Sequence, residues 1–451
     1  MEGVNALTMA AQVGDVERMK TLMEGGVNVD AQGFTGEPAV VVAAGHGQAS
    51  AVAFLLSAGA DVNAPSMTSL TALYVAVQNG HDSVVDLILA ERGEEVDLEV
   101  VESVASLTLL HAAAQNGREG EHAIRALASH PRGGKELGPL VEDERGASPL
   151  VIAAGKGENG YPAFVALMEG WGADVDGKGY THPQMAKALA AAAATGGVSV
   201  VKHIVEVTRA SQAEEGGGLP EMVVVGDMDM LPIHAAVRFG HTEVVSFLLG
   251  SEELRAVVGL NTAVDGVTPL AYGVRCAEAK ETLKILLAPP VVDELELNAI
   301  IPRTKCSALY FALINGCVDS ALALLDCQGV DLDPVFPENV GWSPVFAAAA
   351  LGNKTKIWKH FKAAIADNRV DVTRLDNDGD SVADIARQNG HTRLAGTLTR
   401  LIREAKERSS SGAGASSSGP AELGKKRGRE EDTLEEKEEE EEGEGPARKK
   451  K

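Results

Sequence analysis

Apolar positions along this chain fall in short clusters, and the clusters come in pairs. Ala6-Leu7-Thr8-Met9-Ala10-Ala11 runs to Gly14, and Ala72-Leu73-Tyr74-Val75-Ala76-Val77 runs to Gly80. Leu109-Leu110-His111-Ala112-Ala113-Ala114 runs to Gly117, and Pro232-Ile233-His234-Ala235-Ala236-Val237 to Gly240. Each has an apolar anchor, small residues one turn later, and Gly seven positions after the anchor. That spacing predicts a short helix with one smooth face. Gly ends it by taking the left-handed conformation that a side chain penalises. A second apolar cluster follows, as in Val52-Ala53-Phe54-Leu55-Leu56, Val84-Val85-Asp86-Leu87-Ile88-Leu89 and Val244-Val245-Ser246-Phe247-Leu248-Leu249, and predicts a second helix. Turn residues such as Ser57-Ala58-Gly59-Ala60-Asp61-Val62-Asn63 close the unit.

With the anchor as register mark, eleven units appear, at positions 7, 40, 73, 110, 150, 189, 233, 270, 309, 345 and 383, with a mean spacing of 37.6 residues. Ten of the eleven carry Gly seven after the anchor, and the eighth has Ala277 there. The sixth, around Leu189 and the run Ala190 to Ala194, is the least regular. Two short helices cannot bury their apolar faces alone, so self-similar units of this length predict a stacked solenoid with one continuous core.

These residues resemble the ankyrin-repeat family. Thr268-Pro269-Leu270, Ser148-Pro149-Leu150, Ser343-Pro344-Val345 and Leu109-Leu110-His111 are partial copies of its Thr-Pro-Leu-His. Gly80-His81, Gly240-His241 and Gly390-His391 match the end of its first helix, and Gly59-Ala60-Asp61-Val62-Asn63 and Gly172-Ala173-Asp174-Val175-Asp176 match its distal turn. The resemblance spans residues 4–403. It implies an all-α solenoid of helix-turn-helix units with short β-hairpin loops, acting by binding proteins, with no cofactor. Units close to 33 residues are usual; the extra residues here, such as Glu91 to Ser106, Arg132 to Gly146, Ser211 to Asp229 and Pro289 to Lys305, are expected in the hairpin loops. The resemblance also implies that His at the turns is structural. Asn63 resembles the ankyrin asparagine that some oxygenases hydroxylate.

Composition narrows the class. The chain has 66 Ala but only 3 Trp, 5 Tyr and 9 Phe, which suits close-packed helices rather than β-sandwiches. A net charge of −24 argues against an array that binds nucleic acid or anionic lipid. Four Cys without a Cys-x-x-Cys pair point to a reducing compartment and away from zinc. The N-terminal residues lack the basic and apolar regions of a secretory signal, so a monomer in cytoplasm, nucleus or both is expected.

Residues 404–451 change character. Ser409 to Gly419 reads as a flexible linker, and the segment as a whole is too polar to fold. Lys425, Lys426, Arg427 and Arg429 form one basic cluster and Arg448, Lys449, Lys450 and Lys451 another, around an acidic run that includes Glu438 to Glu442. The basic clusters suit a nuclear import receptor. The acidic run suits a basic partner such as a histone, and a plain solubilising tail is the simplest alternative.

No catalytic motif is present. Gly155-Lys156-Gly157-Glu158-Asn159-Gly160 lies at a helix end rather than between strand and helix, so it is not a phosphate loop. Asp376-Asn377-Asp378-Gly379-Asp380 lacks the Glu a calcium loop needs six residues after its Gly, since residue 385 is Ile. The resemblance places the residues just before each terminating Gly in a groove. Gln78, Asn79, Gln115, Asn116, Lys156, Arg238, Phe239 and Arg275 are the candidate contacts there, with Trp342 on a hairpin. None is acidic. The expected function is a non-enzymatic scaffold or adaptor. The alternatives are a substrate-recruiting subunit of a ubiquitin-ligase or kinase complex, and an enzyme built in the inserted loops, with Ser211 to Asp229 as its likeliest seat.

Overall fold

The computed structural model describes residues 2–412 except 35, 103–104, 134–136, 172–181, 216, 223–229, 276–278 and 353. Twenty-four α-helices form among them. Eleven of these carry the eleven anchors: Glu2–Val13, Ala39–Gly45, Ala72–Gln78, Leu109–Gln115, Pro149–Ala154, Pro183–Thr195, Pro232–Arg238, Pro269–Arg275, Ala308–Ile314, Pro344–Leu351 and Val382–Gln388. Every anchor is buried, from Leu7 at 0% exposure to Leu270 at 4%. Each Leu, Ile or Val anchor removed from water contributes ~1.5–3 kcal/mol, and Ala383 less.

The start of each first helix is written in its sequence. Thr71, Thr108, Ser148, Ser307 and Ser381 are N-caps whose hydroxyls accept a backbone N–H from the first turn. The ends are equally explicit. All ten terminating glycines have positive φ, between 59° at Gly117 and 98° at Gly352. Residue 277 of the eighth unit lies outside the described residues.

Each first helix is followed by a second. These are Val16–Glu24, Ala49–Ser57, Asp82–Arg92, Glu121–Ser129, Tyr161–Gly170, Val198–Glu215, Thr242–Leu248, Lys280–Leu286, Val318–Leu325, Thr355–Ala366 and Thr392–Gly412. First helices pack on first helices of the next unit, and through the tenth unit second helices pack on second and the two of a unit on each other. A continuous apolar core runs between the rows from Leu7 to Val291, and a separate small cluster holds Val267, Ala271 and Ile301. The sixth unit, irregular in sequence, keeps both helices, and its alanines Ala188, Ala192 and Ala193 are fully buried. The hairpins expected between units are reduced, among the described residues, to single antiparallel bridges, such as Gln32 with Pro38, Ile301 with Cys306 and Leu375 with Ser381. Part of the inserted material is helical: Glu252–Val257 and Val291–Glu294 follow the seventh and eighth units.

The chain divides into a unit of residues 1–399 and a unit of residues 400–451. In the second, residues 400–412 are helical, past the Arg403 at which the array was expected to end. Arg400 pairs with Glu404 at 3.7 Å and Arg403 with Glu407 at 4.0 Å, the one-turn spacing that supports a helix. The rest of the segment read as disordered lies outside the described residues.

Candidate partner-binding surface

The units are joined by repeated polar clasps, which decide which side chains are left for a partner. His81 Nε2 lies 3.0 Å from the carbonyl of Gly45, His241 Nε2 2.8 Å from that of Ala194 and His391 Nε2 3.2 Å from that of Ala350. Each acceptor is two residues before the terminating Gly of the preceding unit. The ring reaches it across that Gly, so a Cβ on Gly196 would sit 2.6 Å from His241 Nδ1. A second clasp uses the distal turn. Asn63 Nδ2 donates to Glu95 O at 2.8 Å while its Oδ1 accepts from Asp97 N at 2.8 Å. Asn261 does the same with Glu294 and Glu296, and Asn298 with Gly329 and Asp331. Asn63 therefore has both ends of its amide engaged.

A third clasp uses the histidine after the anchor. His111 Nδ1 accepts from Thr108 N at 3.1 Å, and its Nε2 lies 3.1 Å from Ala147 O. His234 Nε2 lies 3.0 Å from Thr262 O and 3.2 Å from Val267 O. Both rings are fully buried. Burial pushes His111 below the usual histidine range and His234 down to about 4. The structural reading of these histidines thus has explicit geometry.

The candidate contacts sort themselves against this frame. Gln78, Gln115, Lys156 and Arg275 are exposed at the ends of their first helices or just past them, and their side chains make no hydrogen bond or ion pair among the described residues. Asn79 and Asn116 behave differently. Asn79 Nδ2 donates to Gly45 O at 2.9 Å and Asn116 Nδ2 to Val77 O at 2.8 Å, so each amide is tied to the preceding unit through one of its two N–H groups. Arg238 is held over the Phe239 ring at 5.2 Å and the Tyr272 ring at 5.7 Å. Phe239 keeps 41% of its surface exposed. Trp342 is half-buried: its Nε1 donates to Asp376 Oδ2 at 3.1 Å and its ring stacks on Phe346. It braces the hairpin of the tenth unit, away from the helix-end row.

The row thus brings together, in successive units, Gln78, Gln115 and Lys156, then Arg238, Phe239 and Arg275. Three of its members escape sequence reasoning. Val13 and Ile314 are 69% and 52% exposed, and Tyr272 completes the platform under Arg238. The signal for the first two was an apolar residue one or two places before Gly14 and Gly316, where other units carry polar ones. Lys425, Lys426, Arg427, Arg429, Arg448, Lys449, Lys450 and Lys451 lie outside the described residues.

Among the described residues no cluster of three His, Cys, Asp or Glu is placed to hold a metal ion. None of their helices is long and apolar enough to cross a membrane. Asp376 folds its carboxylate onto its own loop, accepting from Asp378 N at 3.0 Å and Asp380 N at 2.8 Å, as an acidic turn does.

Comparison with known families finds two matches. A family described as ankyrin repeats (3 copies) matches residues 7–100 and 73–206, and one described as ankyrin repeat matches residues 229–257. No curated protein matches the chain.

Proposed function

Since this chain belongs to the ankyrin-repeat family, whose repeats serve protein–protein interaction, we propose that it is a non-enzymatic adaptor holding a partner polypeptide along its row of first-helix ends. One observation carries the reading. Exposed side chains recur at the first-helix ends of the third, fourth, fifth, seventh and eighth units, beside Asn and His side chains that are spent on joining the units. The backbone that carries them is pre-organised, so the ordering cost on binding is confined to the side chains themselves. The partner meets amides at Gln78 and Gln115, a cation at Lys156, and an aromatic–arginine platform at Phe239, Arg238 and Tyr272. Arg and aromatic side chains of this kind dominate binding energy where they occur. Affinity is then summed over several units rather than concentrated in one pocket.

The test is the double substitution Arg238→Glu with Phe239→Ala. A captured partner should bind at least tenfold more weakly while circular dichroism and Tm stay at wild-type values. Equal binding by the folded double variant refutes this surface.

Transit to the nucleus belongs to the same proposal. It rests on the sequence of the basic clusters at Lys425 to Arg429 and Arg448 to Lys451, the short cationic type that import receptors read.

A further inference from the structure

The second helix of the tenth unit, Thr355–Ala366, is charged unlike the other second helices. It contains Lys356, Lys359 and Lys362, its N-cap is Lys354, and it has no acidic residue. Ile357, Trp358, Phe361, Ala364 and Ile365 are buried, so the three helical lysines share the outward side, one turn apart. Like charges at this spacing repel, and cations at the start of a helix face the positive end of its dipole. Local helix physics therefore opposes the arrangement. Elsewhere in this row several cations are answered, Lys20 by Glu17, Arg209 by Glu253, Lys280 by Asp319 and Lys284 by Glu281, and those without an ion pair, such as Arg18, Lys202 and Arg393, stand singly rather than clustered. The chain has 65 acidic residues against 41 basic ones, so counter-charges are in excess. Yet Lys354, Lys356, Lys359 and Lys362 form no ion pair among the described residues. Carboxylates on and at the end of the packed helix Val318–Leu325 and at this helix's own C-cap are engaged by others. Asp319 is held by Lys280 at 2.7 Å and only feels the field of Lys356, Asp326 faces His360 at 3.4 Å, and Asp367 faces Arg369 at 3.6 Å.

The backbone beneath is fixed. Trp358 Nε1 donates to Gly352 O at 2.9 Å, and the Trp358 and Phe361 rings pack at 5.8 Å. Four unanswered cations on a rigid helix, in a protein rich in carboxylates, are a local conflict of the kind that marks a site of use.

We propose that this helix is a second docking surface, separate from the first-helix row, and that its occupant is a short acidic segment of a partner protein. Charge complementarity gives the sign. Successive helical lysines rise by about 4.5 Å, the spacing of carboxylates one turn apart on a partner helix. Extent favours a short segment over a long polyanion: the twelve-residue helix is about 18 Å long, and the chain as a whole, at net charge −24, repels a nucleic acid.

The test is fluorescence anisotropy with the full chain and a labelled twelve-residue peptide alternating Glu and Ala. The expected result is saturable binding that weakens with salt, is absent for the Gln-for-Glu peptide, and falls at least tenfold in Lys356→Gln/Lys359→Gln/Lys362→Gln. The control Arg18→Gln/Lys20→Gln, on the second helix of the first unit, should bind as wild type. All the substituted side chains are exposed, and an unchanged Tm verifies folding. The proposal is overturned if wild type fails to bind the peptide, if the triple variant binds it equally, or if a twelve-nucleotide single strand displaces it at lower concentration than unlabelled peptide does.

Discussion

The buried His234 makes stability depend on pH in a way that can be worked from its surroundings. Its Nε2 faces two carbonyls, at 3.0 and 3.2 Å, so the neutral ring with its proton on Nε2 satisfies the site. Its Nδ1 is buried and has no hydrogen-bond partner among the described residues. A second proton would sit there without an acceptor, and burial has already lowered the pKa from 6.5 to about 4. The sign follows: the unfolded chain takes the proton first as pH falls. Stability is fully present above 6.5 and is lost between there and about 4. The full effect is ~3 kcal/mol, of which ~2 kcal/mol is lost by pH 5. The perturbation is His234→Gln, which keeps a polar group but cannot titrate. Urea unfolding of both proteins at pH 7.5 and pH 5 isolates the histidine from carboxylates common to both. Wild type should lose ~2 kcal/mol more than the variant over this interval. Because the units stack in one dimension, amide exchange should show the loss first in Pro232–Arg238 and around Val264–Val267, which His234 joins. Parallel losses in the two proteins would refute the argument.

Two further expectations concern glycine and the tail. Gly390→Ala, at φ 83° with nothing within 4 Å of the new methyl, should cost only the backbone strain of ~1–2 kcal/mol, whereas Gly196→Ala, at φ 79° and 2.6 Å from His241, should cost ~1 kcal/mol more by displacing the ring; equal urea midpoints would contradict the packing of His on Gly. Deleting Gly424 to Lys451 from a fluorescent fusion should move it from nucleus to cytoplasm, and an unaltered distribution would reject import through the basic clusters.

Much of the fold was readable from the periodicity because burial and backbone conformation leave marks on single residues. An anchor such as Leu189 has to be apolar, and a position such as Gly196 tolerates few alternatives, so both appear in sequence even where the rest of the sixth unit has drifted. The candidate surface was less readable. Asn79 and Gln78 are adjacent and chemically similar, yet one amide is spent on the preceding unit and the other is not. That distinction depends on where a carbonyl of another unit, 34 residues away, falls relative to a rotamer. The same holds for Trp342, whose indole is engaged by Asp376 of the next hairpin, and for the platform of Arg238 on Tyr272. Past Arg403, Ser and polar residues read as linker, but the one-turn Arg–Glu pairs carry the helix into them.

The asparagine clasps grip main-chain atoms only. Asn63, Asn261 and Asn298 measure the distance to a peptide N–H and a peptide carbonyl and are indifferent to the side chains those peptides bear. Solvent-facing positions in neighbouring units can therefore be rewritten one at a time while the joint between them stays the same. A chain put together this way can acquire a new binding chemistry in one unit, lysines in one place and aromatics in another, without altering how its other units are fastened.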